Sequence, residues 1–299
     1  MLVGSACSTS VSFPGSTTTT IEPEPTTTAP VATTAASVTT TSLAPPPPAE
    51  PIRLAVIGDF GTGSSDEYQV AALIEAMAED DPIAAVVTTG DNFYNDDVER
   101  IWREPFGWVD DTGVALHAVW GNHDIETQSR VDLVAEHLRP PFWWYTTELG
   151  EATLVVVDSN QVDNEEQLAW LEETLAASYG LVIVAFHHPP FACGFHGSTG
   201  SVIETWVPLF EQYGVDLVLN GHEHSYERFG IAGVTYIVTG GAGQGLRPFK
   251  TCPAGTPGSI QRDAEHHHYV LLEIGAEGIE ATAIAVGGTI IDRTVITDP

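Results

Sequence analysis

The sequence predicts an α/β fold (α+β type) in which mixed β-sheets are flanked by helices, and this fold occupies residues 51–299. Short β-branched and aliphatic runs alternate with segments whose apolar residues recur at helical spacing. The last thirty or so residues instead hold three such runs separated by Gly-containing turns, which indicates an antiparallel meander. Together these patterns predict sheets that contain both parallel and antiparallel strands.

The individual elements follow the apolar pattern along the chain. Strands are predicted at residues 52–57, 83–88, 114–120, 154–157, 181–186, 215–219, 234–238, 269–274, 279–285 and 289–295. Helices are predicted at residues 65–80, 130–138, 164–177 and 202–213. In the first helix Val70, Leu73, Ile74 and Met77 lie on one face, which is the spacing of an amphipathic helix.

Residues 1–50 are rich in Thr and Pro and have no apolar period, so they are predicted to be a signal remnant followed by a disordered linker. The first residues, up to Cys7, resemble the end of a bacterial lipoprotein signal, although Gly4 stands where such signals usually have Leu. Lipidation of Cys7 and an ordinary disordered N-terminus remain alternatives. The predicted location is bacterial and extracytoplasmic, either secreted or anchored at the cell surface, and contact with a membrane is expected only if Cys7 is lipidated.

The charge of the chain narrows its classes of partner. Acidic residues number 41 against 10 basic ones, and the net charge of −31 disfavours binding to nucleic acid or anionic membranes. An anionic small molecule would need local positive charge, which ten scattered basic residues do not supply and bound metal ions would. Cys193 and Cys252 lie in Gly/Pro-rich loops, where a disulfide and two free thiols are both open.

A residue able to bind metal follows each of five predicted strands. These residues are Asp59, Asp91, Asn122, His187 and His222, and His224 lies close behind the last of them. The carboxyl ends of strands in α/β sheets form the crevice where ligands bind, so the residues that follow the five strands are expected to lie close together. A set of carboxylates, an amide and imidazoles is too large for one ion, and it predicts a two-metal site.

The segments that carry these residues resemble a known family. GDFG (residues 58–61), GDNFY (90–94), GNHD (121–124), VAFH (184–187) and GHEH (221–224) are similar to the ordered blocks of purple acid phosphatases, within the calcineurin-like metallophosphoesterases. The absence of an added β-sandwich domain makes the chain more similar to the small, tartrate-resistant type. The resemblance implies a four-layer sandwich, with residues 51–299 as the catalytic domain.

The resemblance also implies a set of metal ligands. Many relatives carry a His where this chain has Gly61, and Tyr94 offers a phenolate instead, which favours Fe(III). The implied ligands are Asp59, Asp91, Tyr94 and His224 for Fe(III), and Asp91, Asn122, His187 and His222 for a divalent Fe, Zn or Mn ion. The neighbouring His188 is expected to pack with its ring turned away from that of His187.

The implied activity is an acid phosphatase that hydrolyses small phosphate monoesters by attack of a metal-bound hydroxide. His123 and His196 resemble the substrate-facing histidines of the family and are the predicted catalytic residues. The expected oligomeric state is a monomer. Two alternatives stay open at this point: a phosphodiesterase or nucleotidase that uses Mn or Zn, and a surface binding protein with a vestigial site.

Overall fold

The computed structural model describes residues 50–297, and the predictions for residues 1–49, including lipidation of Cys7, lie outside the described residues. Thirteen strands and six α-helices are found in this range. The strands are β1 (Ile52–Ile57), β2 (Ala85–Thr88), β3 (Ala115–His117), β4 (Tyr145–Leu149), β5 (Ala152–Val156), β6 (Leu181–Ala185), β7 (Leu217–Asn220), β8 (Tyr226–Ile231), β9 (Val234–Thr239), β10 (Gln261–Asp263), β11 (His268–Gly275), β12 (Gly278–Ala285) and β13 (Ile290–Ile296). The helices are α1 (Ser65–Asp80), α2 (Glu104–Thr112), α3 (Gln128–Leu133), α4 (Glu165–Ala177), α5 (Gly200–Thr205) and α6 (Val207–Tyr213).

The strands form two mixed sheets. The first has six strands in the order β13-β12-β11-β1-β2-β3, in which β1, β2 and β3 are parallel and β11, β12 and β13 form the predicted antiparallel meander. The second has seven strands in the order β10-β8-β9-β7-β6-β5-β4, with β5, β6, β7 and β9 parallel. The predicted combination of parallel and antiparallel strands is therefore confirmed.

The two sheets pack face to face and helices cover their outer faces. Within β1, Leu54 and Val56 join the core between the sheets, whereas Ala55 and Ile57 face the cluster that includes Phe106 of α2. Residues on α4 and α6 pack in the same way on the outer face of the second sheet. Both faces of each sheet are buried, which is why the central strands are continuous apolar runs. This arrangement is the predicted four-layer sandwich.

Three helical regions differ from the predictions. The helix predicted at residues 130–138 begins as α3 and continues as a π-helical turn at Val134–Leu138. The helix predicted at residues 202–213 is divided into α5 and α6 at Trp206, because Pro208 has no N–H to donate to an earlier turn. A π-helical turn at Glu99–Arg103 runs into α2, a helix that the apolar pattern did not predict. Its sequence includes Pro105 and Gly107, which are poor helix formers, and the helix is held by burial of one face. None of the helices in the described range is long and apolar enough to cross a bilayer.

Candidate metal centre

The carboxyl ends of parallel strands in both sheets meet at one edge of the sandwich. Asp59 follows β1, Asp91 follows β2 and Asn122 lies beyond β3, all in the first sheet. His187 follows β6 and His222 follows β7, in the second sheet. The structure brings all seven predicted ligands into one cluster of contacts. The strand pattern predicted that the residues after the strands converge, and the family resemblance added Tyr94.

The first donor set surrounds the hydroxyl of Tyr94. This oxygen lies 3.2 Å from Asp59 Oδ1, 3.0 Å from Asp91 Oδ2 and 3.2 Å from His224 Nε2. The His224 ring is oriented by its other nitrogen, because Nδ1 donates to the Gly245 carbonyl over 3.1 Å. Nε2 of His224 therefore presents a lone pair to the same point as the three oxygens.

The second donor set surrounds Nε2 of His187. This atom lies 3.1 Å from Asn122 Oδ1, 3.2 Å from His222 Nδ1 and 3.3 Å from Asp91 Oδ2. The His187 ring donates its Nδ1–H to the Thr89 carbonyl over 2.9 Å, which leaves Nε2 for the cluster. Asp91 Oδ2 contacts both donor sets, so one carboxylate oxygen lies where a ligand shared by two ions would lie.

The chemistry of these donors fits a pair of metal ions. The Tyr94 hydroxyl has one proton but three acceptors around it, so hydrogen bonding alone leaves lone pairs facing one another. Donor atoms about 2.1 Å from one ion lie roughly 3.0 to 3.4 Å from each other, which is the spacing found here. Asp59 and Asp91 are buried and add negative charge at the same point. A cation is therefore the expected occupant of each donor set.

The ionisation of the cluster supports the same conclusion. Burial raises the pKa of Asp59 well above its ordinary value, because no solvent compensates the charge. Burial disfavours a charged His187, but the Asp91 carboxylate outweighs it and, with help from Asp59, raises the pKa of His187 to about 9. Burial also raises the pKa of Tyr94, and the two carboxylates raise it further. The pocket thus favours positive charge, and Tyr94 would become a phenolate only beside a strong cation.

Three of the ligand-bearing turns have a strained backbone. Asp59, Asp91 and His222 have φ values of 54°, 53° and 69°, in the left-handed region that side chains with a Cβ seldom adopt. Only two other non-glycine residues in the described range share this conformation. Strain of this kind is tolerated where the surrounding structure and function require it, and here it aims each side chain back into the crevice.

Two glycines allow these turns to approach each other closely. A Cβ at Gly121 would lie 2.1 Å from the Asp91 nitrogen, and one at Gly61 would lie 1.9 Å from the Asn92 carbonyl oxygen. Gly61 also accepts a hydrogen bond from the Tyr94 nitrogen over 2.7 Å. A side chain at position 61 would therefore displace the loop that brings Tyr94 to the cluster, which links the presence of Gly at 61 to the tyrosine ligand.

Comparison with known sequences agrees with this geometry. Residues 52–226 match the calcineurin-like phosphoesterase family, and this range contains every residue of both donor sets. The chain belongs to the calcineurin-like phosphoesterase family. Family membership and the curated relatives described next indicate a hydrolase that acts on phosphate esters.

Curated relatives of this phosphoesterase include two from Arabidopsis thaliana. Purple acid phosphatase 7 is 26% identical over 227 residues, which are 63% of this chain and 69% of the relative. Purple acid phosphatase 17 is 27% identical over 211 residues, 58% of this chain and 62% of the relative. The chain thus spans about two thirds of the length of these relatives.

Solved structures share the fold. GAP50, described as the anchor in the inner membrane complex of Plasmodium, superposes with a TM-score of 0.71 at 15% identity, over 84% of this chain and 90% of that one. The purple acid phosphatase PPD1 from yellow lupin seeds has a TM-score of 0.66 at 18% identity, over 83% of this chain and 54% of that one. At these identities the likeness concerns the fold of the phosphoesterase domain.

Asp124 supports the centre and was not predicted from the sequence. Its buried carboxylate accepts four N–H hydrogen bonds of 2.7 to 2.9 Å, two from Asn92 and one each from Phe93 and Gly121. Asp124 thereby ties the GDNFY loop to the GNHD turn. The signal was present in the GNHD motif, but Asn92 and Phe93 lie 32 and 31 positions away and no local pattern reveals them as partners.

The two predicted catalytic histidines lie on the solvent side of the cluster. The backbone N–H of His123 donates to Asp91 Oδ1 over 2.8 Å, and its ring donates from Nδ1 to Glu126 over 2.7 Å. The His196 ring lies 4.2 Å from that of His222, and the His196 N–H donates to Glu223 over 2.6 Å. Glu223, which sequence analysis left without a role, positions the His196 loop.

His188 differs from its expected orientation. Its ring is 4.9 Å from that of His187 and 4.5 Å from that of His222, so it is not turned away from the cluster. Nδ1 of His188 pairs with Ser159 Oγ over 2.9 Å. Burial lowers the pKa of His188 to about 3, so this ring is neutral and lines the second donor set.

Proposed function

We propose that the protein is an acid phosphatase that hydrolyses small phosphate monoesters at an Fe(III)–M(II) pair, with M being Fe, Zn or Mn. The observation that carries the proposal is the pair of donor sets that share Asp91 Oδ2. Asp59, Asp91, Tyr94 and His224 would hold the trivalent ion, because three of these four ligands are anionic when Tyr94 is ionised. Asp91, Asn122, His187 and His222 would hold the divalent ion.

The bound ions would supply Lewis acidity, which yields a nucleophile at acidic pH and offsets charge on the phosphate oxygens. The protein orients the ester and handles the proton of the leaving group. His123 is fixed through Nδ1 by Glu126, so Nε2 is the atom that can donate this proton. Its ring centroid lies 4.4 Å from that of Tyr94, with the two rings tilted by 41°, which keeps it beside the first donor set.

His196 is assigned a binding role rather than proton donation. Nε2 of His196 accepts from Arg247 Nη1 over 2.7 Å. Burial lowers the pKa of His196, and the positive charge of Arg247 lowers it further. A neutral ring whose Nε2 is engaged can still donate from Nδ1, and we assign that N–H to a phosphate oxygen.

The proposed location is extracytoplasmic and the proposed partner is a small phosphate ester. Cys193 and Cys252 form a disulfide, and disulfides persist mainly in oxidising compartments. The acidic surface still argues against nucleic acid as substrate. A monomeric state and attachment to a membrane through Cys7 remain predictions.

Metal analysis with a visible spectrum tests the centre. The purified protein is expected to contain iron and to absorb visible light through charge transfer from Tyr94. Tyr94→Phe should abolish this absorption, whereas Tyr68→Phe, a change on helix α1 at a residue outside both donor sets, should leave it intact. A colourless, active protein that contains only Mn or Zn would support the phosphodiesterase or nucleotidase alternative.

Turnover tests the activity itself. Phenyl phosphate should be hydrolysed faster at acidic than at neutral pH, and faster than the diester bis(4-nitrophenyl) phosphate. His123→Ala should lower kcat about a hundredfold for poor leaving groups and far less for 4-nitrophenolate, because only a poor leaving group needs the proton. Equal losses across the series would exclude His123 as the donor. No turnover of any ester by metal-loaded protein would favour the vestigial binding protein.

A further inference from the structure

The basic residues of this chain are distributed less evenly than the sequence suggested. Six of the ten form ion pairs with carboxylates, and they are Arg53, Arg103, Arg130, Arg139, Arg228 and Arg293. The other four, Arg100, Arg247, Lys250 and Arg262, form no ion pair with a carboxylate among residues 50–297. Of these four, Arg247 and Lys250 lie together at one aromatic ring.

Both cations lie at the ring of Phe195. The guanidinium carbon of Arg247 is 4.7 Å from the ring centroid, and Nζ of Lys250 is 3.8 Å from it. Phe195 is 47% exposed, Lys250 is exposed and Arg247 is half-buried, so a ligand in solution can reach both charges. Cation–π contact with one ring offsets part of the repulsion between the cations, but neither of them is neutralised.

The backbone holds this pair in place beside the metal centre. The Arg247 N–H donates to the carbonyl of His224, which is a residue of the first donor set, over 3.1 Å. The Lys250 N–H donates to the Cys193 carbonyl over 2.9 Å, and Nζ donates to the Phe195 carbonyl over 2.7 Å. The disulfide between Cys193 and Cys252 joins the same two segments. The two cations are therefore built into the rim of the site.

Arg247 also contacts His196, a residue beside the second donor set. Arg247 Nη1 donates to His196, whose ring is 4.2 Å from the ring of the ligand His222. Lys250 shares the ring of Phe195 with Arg247, and that ring is 5.1 Å from the ring of His196. A phosphate ester held at the two donor sets with its leaving group extended past His196 would meet these two cations.

We propose that Arg247 and Lys250 select phosphate esters whose leaving group carries a second anionic group, a carboxylate or another phosphate. This inference rests on the proposed function, because it assumes that the scissile phosphate binds between the donor sets. A second anion gains two charge-assisted contacts, whereas an uncharged leaving group gains none and meets an acidic surface.

Binding of phosphonates tests the selection without requiring turnover. Benzylphosphonate is compared by calorimetry with its meta- and para-carboxy derivatives and with the corresponding phosphono derivatives, on the metal-loaded full chain. A second anion is expected to tighten binding at least tenfold in the natural protein, and the two series show which anion is preferred. Lys250→Gln and Arg247→Gln should each reduce this ratio several-fold, and Lys250→Arg should retain it.

Arg293→Gln is the matched control. It removes the same charge from a residue that lies with Pro51 at the opposite end of β1, so the binding ratio should not change. Equal affinity for all the phosphonates, or a ratio that survives both Gln substitutions, would overturn the proposal. Hydrolysis of phenyl phosphate is measured in parallel. If the metal-loaded natural protein does not hydrolyse phenyl phosphate but keeps the binding ratio, the phosphatase activity is refuted and the preference for a second anionic group still stands.

Discussion

Opening the Cys193–Cys252 disulfide should destabilise the protein by a calculable amount. The bond closes a loop with a sequence separation of 59 residues. The chain-entropy relation gives about 14 cal/mol/K for a loop of that size, or about 4 kcal/mol at 25 °C. A loss of this size is a large share of the stability of an ordinary domain. We therefore expect Cys193→Ala to lower the free energy of unfolding by about 4 kcal/mol.

Urea unfolding in the presence of a chelator measures this effect, because metal binding then makes no contribution. Either Cys→Ala substitution opens the same loop, so Cys252→Ala should cost about as much as Cys193→Ala, and the double variant little more than either. Cys193 is the more deeply buried of the two, and any excess cost at that position is the packing lost there. Reduction of the natural protein should reproduce the double variant.

A loss below about 1 kcal/mol in the single variants would refute the loop-entropy argument. Costs that add in the double variant would refute it too, because they would show two independent packing effects. The disulfide joins the segment that carries the His196 loop to the segment that carries Lys250. The Cys→Ala variants should therefore also lose the preference for a second anionic group on the ligand.

Three further predictions concern the site and its surroundings. Gly61→Ala should lower the free energy of unfolding by several kcal/mol, because the added Cβ would lie 1.9 Å from a backbone oxygen. Gly107 lies inside α2 and a Cβ there would meet no atom within 4 Å, so Gly107→Ala should stabilise the protein by about 0.5–1 kcal/mol. Thermal unfolding measures both effects. Burial raises the pKa of Glu67 to about 8 from an ordinary value of 4.5. The stabilising contribution of its proton is therefore complete below pH 4.5 and is lost as pH rises through 8. Between pH 5 and pH 8 the free energy of unfolding of the natural protein should fall by about 3 kcal/mol more than that of Glu67→Gln. Asp91→Ala should abolish binding of both ions in metal analysis, whereas Asn122→Ala should weaken only one, and retention of one tight ion by Asp91→Ala would contradict a shared ligand.

The position of the candidate site was predictable from the sequence because it depends on local order along the chain. A buried strand followed by Gly and a polar residue places that residue at the carboxyl end of the sheet, whatever the rest of the fold does. Asp59 and Asp91 were predicted for this reason. The mixture of parallel and antiparallel strands and the C-terminal meander followed from the same apolar runs, whereas strands β4, β8 and β10 were not predicted.

Other features depend on contacts between distant segments, and no local pattern shows them. Asp124 and Glu223 act through partners 26 to 32 positions away. Helix α2 forms despite Pro105 and Gly107, because burial of one face outweighs weak propensity. The sequence did not predict that Arg247 and Lys250 lie at the same aromatic ring, because separation along the chain says little about where long side chains end.

The centre takes donors from both sheets, and neither sheet contains a complete set. The first sheet provides the carboxylates and the amide, and the second provides the imidazoles. A bound ion would therefore join the two sheets at their common edge and would oppose sliding of one sheet over the other. Changes in the core between the sheets would shift the two groups of donors relative to each other, so packing far from any ligand is expected to influence metal affinity.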